Sequence, residues 1–222
     1  MTETVRDQVE RLVLAGAPAP IVQAGHPALR AVAEPYDGQL GEELLGALIE
    51  LMRVTMKAAP GVGLAAPQIG ISVAIAVAED AGSPAAEDAG SPAAEDAAAR
   101  ERLPLDFRAL VNPRYQPVGT KMRSFYEGCL SVAGWQAVVP RHRTVRLQCQ
   151  DALGRAVDEV LTGWPARIVQ HETDHLAGRL HLDGAELRSL SSVQNLVDYW
   201  AGEGTPRSAA RALGFSLGFS LD

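Results

Sequence analysis

The segment from Trp164-Pro165 to Gly178 constrains this chain more than any other. Pro165 suits the first turn of a helix, Gly178 suits its C-terminal end, and Ile168, Val169 and Leu176 recur between them at helical spacing. The helix carries Gln170-His171-Glu172-Thr173-Asp174-His175, a His-Glu-x-x-His sequence. Residues four apart on a helix share a face, with Cβ atoms about 5 to 6 Å apart, so His171 and His175 can hold one metal ion. Glu172, next to the first of them, can take a proton from a water that such an ion activates. The bare pattern also arises on ordinary helices, but this chain has five histidines in all and two of them fall here.

Around that helix the sequence alternates helical and strand-like patterns. Thr4 to Leu14 places Val5, Val9, Leu12 and Val13 on one face before Gly16 and Pro18, and Leu40 to Lys57 turns Leu44, Leu45, Leu48, Leu51 and Met52 inward before Pro60-Gly61. Ile71 to Ala78 reads as a buried strand; Ala109 to Val111, Gln136 to Val139, Thr144 to Gln148 and Ala156 to Leu161 read as further strands. A last amphipathic helix is expected over about Leu190 to Trp200, with a weaker tail from Gly202 onward. The class is α+β.

With 222 residues, 47% of them hydrophobic, the chain can bury one sizeable core. No apolar run approaches the roughly 18 to 20 residues of a bilayer-spanning helix, so no membrane association is expected. The net charge of −7 is concentrated: Glu79, Asp80, Glu87, Asp88, Glu95 and Asp96 lie in a repeated Ala-Glu-Asp-Ala-Gly-Ser-Pro-Ala octad, and the remainder is nearly balanced. That balance lacks the basic field of a dedicated nucleic-acid binder. The octads, within 79–100, read as an insertion forming a mobile surface loop. Residues 1–20 read as an N-terminal extension with a helix, 21–201 as the catalytic domain and 202–222 as a tail. Two cysteines are too few for a disulfide framework, and acids occupy the N-terminal positions where a secretory signal has bases, so a cytoplasmic location is expected.

The third metal ligand separates two enzyme classes. Read onward, His171-Glu172-x-x-His175-x-x-Gly178-x-x-His181 satisfies the metzincin protease pattern, but the methionine turn that should follow is missing: Met1, Met52, Met56 and Met122 all lie upstream. The competing ligand is Cys129, in Tyr126-Glu127-Gly128-Cys129-Leu130-Ser131, whose thiolate suits zinc or iron and whose glycine permits close approach. Cys149 continues the inward alternation of Val145 and Leu147 and reads as a small core residue. Gly61 and Gly63 do not open a nucleotide loop, since no Lys-Ser or Lys-Thr follows and the dinucleotide glycine pattern is incomplete.

Three stretches taken together, Gly61-Val62-Gly63-Leu64-Ala65-Ala66-Pro67-Gln68, Glu127-Gly128-Cys129-Leu130-Ser131 and Gln170-His171-Glu172-Thr173-Asp174-His175, resemble the signature motifs of bacterial peptide deformylases, in order and in approximate spacing. The likeness runs from about Ile21 to Asp183. It implies small antiparallel sheets packed around a central metal-binding helix, and one divalent ion held by Cys129, His171 and His175. The ion implied is ferrous iron, with zinc or another first-row metal as substitute. The reaction implied is hydrolysis that removes the formyl group from N-formylmethionyl nascent polypeptides near the ribosome, with water as co-substrate and formate as product. Glu172 would be the general base, with the Gln68 amide and the Leu130 backbone N–H stabilising the oxyanion.

The same resemblance suggests Val62, Phe125, Trp164 and Ile168 as walls of a methionine pocket, and Val62, Gly63 and Gly128 as backbone partners for the peptide. The chain departs from the family pattern in the octads, in Val132-Ala133-Gly134 where an apolar residue and proline are usual, and in Gln136 where many members carry arginine. A metzincin-like protease using His171, His175 and His181, or a catalytically degenerate deformylase homologue, is the alternative reading.

Overall fold

The computed structural model describes residues 3–82, 98–200 and 203–218. The chain opens with helix α1 (Val5–Ala15), whose N-cap Thr4 side chain accepts from the Asp7 N–H while Asp7 caps the Thr4 N–H in return, which satisfies two otherwise orphaned donors. Val9 and Leu12 then bury its inner face against α2 (Gly41–Ala58), where Leu48, Met52 and Met56 are fully buried. A single stripe every three to four residues thus welds the two helices into one layer.

Two antiparallel sheets follow. The larger has the order β1 (Gly63–Ala65), β2 (Ile75–Asp80), β3 (Leu105–Pro117), β6 (Thr144–Gln150), β7 (Ala156–Thr162). The smaller has the order β4 (Met122–Gly128), β5 (Trp135–His142), β8 (Glu186–Ser192). β1 and β4 are each an outer strand of their sheet, and they carry Gly63 and Gly128 respectively.

Helix α3 (Gly163–Leu176) packs against both sheets. At 3.6 residues per turn its faces divide the work. Ala166, Val169 and Leu176 bury against Ala65, Ala76, Leu110, Val145 and Leu147 of the larger sheet. Arg167, Gln170 and Asp174 turn to the smaller one: the Gln170 amide donates to the His142 carbonyl at 2.8 Å and accepts from its N–H at 3.2 Å, as a neighbouring strand would. Trp164, Ile168, His171 and His175 form the remaining stripe. The helix ends where expected: Gly178 takes a positive φ of 71°, and the Gly178 and Arg179 N–H groups close onto the His175 and Asp174 carbonyls.

Two expectations need correction. The expected helix over Leu190 to Trp200 begins as strand, because β5 needs a partner: Trp135 and Gln136 pair with Ser192 and Ser191, and the Val138 N–H donates to Ser189 Oγ at 2.7 Å. Helix α4 (Val193–Asn195) starts after it and continues as a π-helical turn over Leu196–Trp200. The strand expected over Ile71 to Ala78 starts only at Ile75, and the buried Ile71 and Val73 precede it in irregular chain bridged to Glu34. The tail includes helix α5 (Arg207–Leu213), with Ala209 packed on Tyr126 and Val138.

Most of the acidic octad segment lies outside the described residues, but its first two acids do not. Glu79 pairs with Arg53 and Lys57, and Asp80 is buried at the end of β2, where Arg102 grips both of its oxygens at 3.0 Å. The sheet therefore runs into the octads rather than stopping before them.

Candidate metal centre

Cys129 directly follows β4, and His171 and His175 stand one turn apart on α3, so the end of one strand meets one face of one helix. The donor atoms of the three lie within 4.8 Å of one another, with Cys129 Sγ 3.2 Å from His175 Nε2. One ion at roughly 2.0 to 2.3 Å from each donor spans such a set, and a thiolate with two imidazoles suits zinc or ferrous iron. Three protein donors rather than four is the donor count of a catalytic site. The residues present therefore fit the metal that the motifs imply.

A buried ionic network fixes the first imidazole. The Glu127 carboxylate receives Arg141 through Nε at 2.6 Å and Nη2 at 3.0 Å, receives Arg167 Nη1, and lies 3.0 Å from His171 Nδ1. The two arginines hold Glu127 ionised, well below the usual carboxylate range, although burial alone would raise it. An ionised carboxylate can only accept, so His171 Nδ1 carries the hydrogen and Nε2 is left for a ligand. Arg167 is set in turn by the Val139 and Arg123 carbonyls, and burial pushes its guanidinium down to about 10.

Glu172 sits against Gly63. A Cβ built on Gly63 would lie 2.1 Å from Glu172 Oε1, so the close approach of β1 to α3 requires glycine there. Glu172 is buried, its Oε2 has no partner among the described residues, and burial pushes its carboxyl up to about 7. Gln68 is aimed from the turn after β1. Its Oε1 accepts the Ala65 N–H at 2.8 Å, and its Nε2 donates to Ser131 Oγ at 3.3 Å and toward Cys129 Sγ at 3.6 Å.

These groups open on a cleft of about 870 Å³ lined by Val62, Gly63, Gln68, Gly128, Cys129, Leu130, Trp164, Ile168, His171 and Glu172, together with Arg100, Arg102, Trp135, Gln136, Arg167 and Val193. Phe125 is not on it. The Phe125 ring meets Trp164 edge-on at 6.2 Å, and the Arg167 guanidinium lies 5.0 Å from the Phe125 ring. The wall expected from Phe125 is thus built by Arg167, because Glu127 draws that guanidinium into the space between helix and strand.

His181 stays outside the donor group. Its ring stacks on His171 at 5.7 Å between centroids, both of its nitrogens are buried without a partner among the described residues, and burial pushes it down to about 4. Glu127, Arg141 and Arg167 are the residues that sequence reasoning passed over. The signal for Glu127 was its place at the head of the Glu127-Gly128-Cys129-Leu130-Ser131 stretch, two residues before Cys129.

Comparison with known proteins gives a consistent result. The profile of the family described as polypeptide deformylase matches residues 18–190. Peptide deformylase 1 of Streptomyces coelicolor is 56% identical over 211 residues, covering 95% of this chain and 93% of that protein. Peptide deformylase 3 of Streptomyces avermitilis is 58% identical over 211 residues, covering 95% and 90%. Among solved structures, the Met-Ala-Ser-bound class I type b peptide deformylase of Acinetobacter baumannii superposes with a TM-score of 0.65 at 31% identity, covering 75% of this chain and 97% of that one.

Proposed function

The chain belongs to the polypeptide deformylase family, enzymes that remove the formyl group from the N-terminus of newly made polypeptides, and from that premise we propose how its residues divide the reaction. The observation that carries the proposal is the meeting of Cys129, His171 and His175 within 4.8 Å beside a buried Glu172 and an aimed Gln68 amide. A divalent ion held by those three residues, ferrous iron by our assignment, would supply the Lewis acidity that makes water a nucleophile at neutral pH.

The peptide lies between the outer strands β1 and β4. Gly63 and Gly128 carry no side chain to obstruct it, and Val62, Gly63 and Gly128 offer backbone groups to which it can pair as an added strand. The methionine side chain enters between Val62, Trp164 and Ile168, beside Arg167. As water attacks the formyl carbon, Glu172 accepts its proton at Oε2, the oxygen without a partner among the described residues. The same carboxyl then returns the proton to the departing methionine nitrogen, which leaves formate and a free amine. Gln68 Nε2 and the Leu130 N–H donate to the carbonyl oxygen as it gains charge, and one such donor contributes about 2.7 to 4 kcal/mol.

No helix among the described residues is long and apolar enough to cross a membrane. Action on nascent chains in the cytoplasm near the ribosome is our reading, and it rests on the substrate. The role of Glu172 is tested by E172Q, which should keep its metal while formate release falls about 10² to 10⁴-fold. A variant with full activity would remove Glu172 as the base.

A further inference from the structure

The loop that follows Cys129 is held from outside by a short segment, Val22 to Ala24, that the reaction as described does not use. The Val22 N–H donates to the Gln68 carbonyl at 2.9 Å, and the Ala24 N–H donates to the Ser131 carbonyl at 2.7 Å. One stretch of backbone thus ties the turn that carries Gln68 to the loop that carries Leu130. Between those two bonds the Gln23 side chain reaches across the loop. Its Nε2 donates to the Leu130 carbonyl at 3.1 Å and to the Ile21 carbonyl at 3.3 Å, and its Oε1 accepts the Ala133 N–H at 3.2 Å. A backbone N–H can only donate, which fixes the amide with Oε1 toward Ala133.

The loop consists of two successive turns. The Val132 N–H donates to the Cys129 carbonyl at 2.9 Å, and the Trp135 N–H reaches the Val132 carbonyl at 3.4 Å. In the second turn Gly134 takes a positive φ of 81° and Ala133 does not, the pattern of a type II turn with Ala133 at its second position. Proline is favoured at that position because its ring presets the backbone. Alanine leaves the backbone freer and adds an N–H, and Gln23 is the group that takes up this N–H.

We propose that Gln23 is a positioning residue for the oxyanion site. By bracing the Leu130 to Ala133 loop against the segment that also holds Gln68, it keeps the Leu130 N–H and the Gln68 amide aimed at one point. This deepens, and rests on, the deformylase reading. Both Nε2 hydrogens and Oε1 are engaged by the chain itself, so Gln23 acts through the loop rather than on the substrate. It is exposed at the rim of the cleft, where each bond competes with water, so the clamp contributes placement more than stability.

The test is a double-mutant cycle between Gln23 and Ala133 on the metal-loaded full chain, with kcat and KM for formyl-Met-Ala-Ser, metal content and thermal midpoint measured on each protein. Q23A should lower kcat about tenfold, part of the roughly 10² to 10³-fold that removing a donor outright costs, with KM within about twofold and metal content and midpoint nearly unchanged. A133P, which fits the turn and has no N–H to donate, should keep kcat within about twofold of wild type. In the A133P background Q23A should cost no more than about threefold, because the ring then holds the turn. Q23A with kcat within about twofold of wild type overturns the role, and so does a loss carried by KM, which would make Gln23 a substrate contact. A loss of equal size with either residue at 133, or one that follows a fall in midpoint, overturns it as well. A133P that by itself loses about tenfold contradicts the type II turn and overturns the role with it. No formate from the metal-loaded wild type overturns the deformylase reading itself, and the role of Gln23 falls with it.

Discussion

Gly63 and Glu172 share so little space that either residue can report on the other. A methyl group at Gly63 would overlap the Glu172 carboxyl, and something must move. G63A should therefore lower kcat about 10²-fold or more by displacing the base, while KM changes less, as measured by formate-release kinetics with a thermal melt alongside. Cys149 should be far less reactive than its partial exposure suggests. Burial, reinforced by Glu159, pushes the Cys149 thiol up to about 11, so at pH 7.5 only about one thiol in a few thousand is the reactive thiolate. Mass spectrometry after iodoacetamide treatment at that pH should find Cys149 unmodified in the folded chain, with labelling appearing as pH approaches 11. The meeting of Cys129, His171 and His175 was legible in the sequence because each sits in a short motif whose residue types share one common use. Phe125 was misplaced because the residue that supplants it, Arg167, reaches the cleft wall through an ion pair with Glu127, and no spacing rule shows that pairing.

At the scale of elements, the stiffness of the site comes from the junction of α3 with β4 and β5. Glu127 is the anion on which Arg141, Arg167 and His171 converge, and removing it takes from buried Arg167 its carboxylate partner and leaves buried Arg141 with Asp174 alone. Such a loss destabilises by about 3 to 5 kcal/mol. E127A should accordingly lower the urea midpoint by that equivalent, measured on metal-free protein, and should also weaken metal retention because His171 loses its Nδ1 acceptor. An unchanged midpoint would mean that the network is not structural. Elements with clean periodicity, such as α1, α2 and α3, could be read from the sequence to within a residue or two. β4 could not, because it buries Ser124 and Glu127 among Phe125 and Tyr126, and its polar interior erases the two-residue alternation that marks a strand. The end of β8, from Leu190, was read as the start of a helix for a related reason: the strand's inward residues are the small polar Ser189 and Ser191, and its leucines face out.

Across the whole molecule, the cleft exists because two separate sheets present outer strands to one helix. That arrangement depends on pairings such as β3 with β6, which no local pattern specifies. The C-terminal segment belongs to the same construction. Leu213, Phe215 and Leu217 cover Tyr126 and Val138 on the sheet that also holds Glu127 and leads to Cys129. Truncation after Gly202 should uncover that face and remove on the order of 3 kcal/mol of stability, seen as a lowered thermal midpoint. The activity itself is tested most directly by formate release from formyl-Met-Ala-Ser by anaerobically purified protein, with metal content determined on the same sample. Formate in proportion to bound metal, abolished by chelation and restored by added ferrous iron, is the expected result. Fully metallated, folded protein that releases none would contradict the assignment of Cys129, His171, His175 and Glu172 to deformylation.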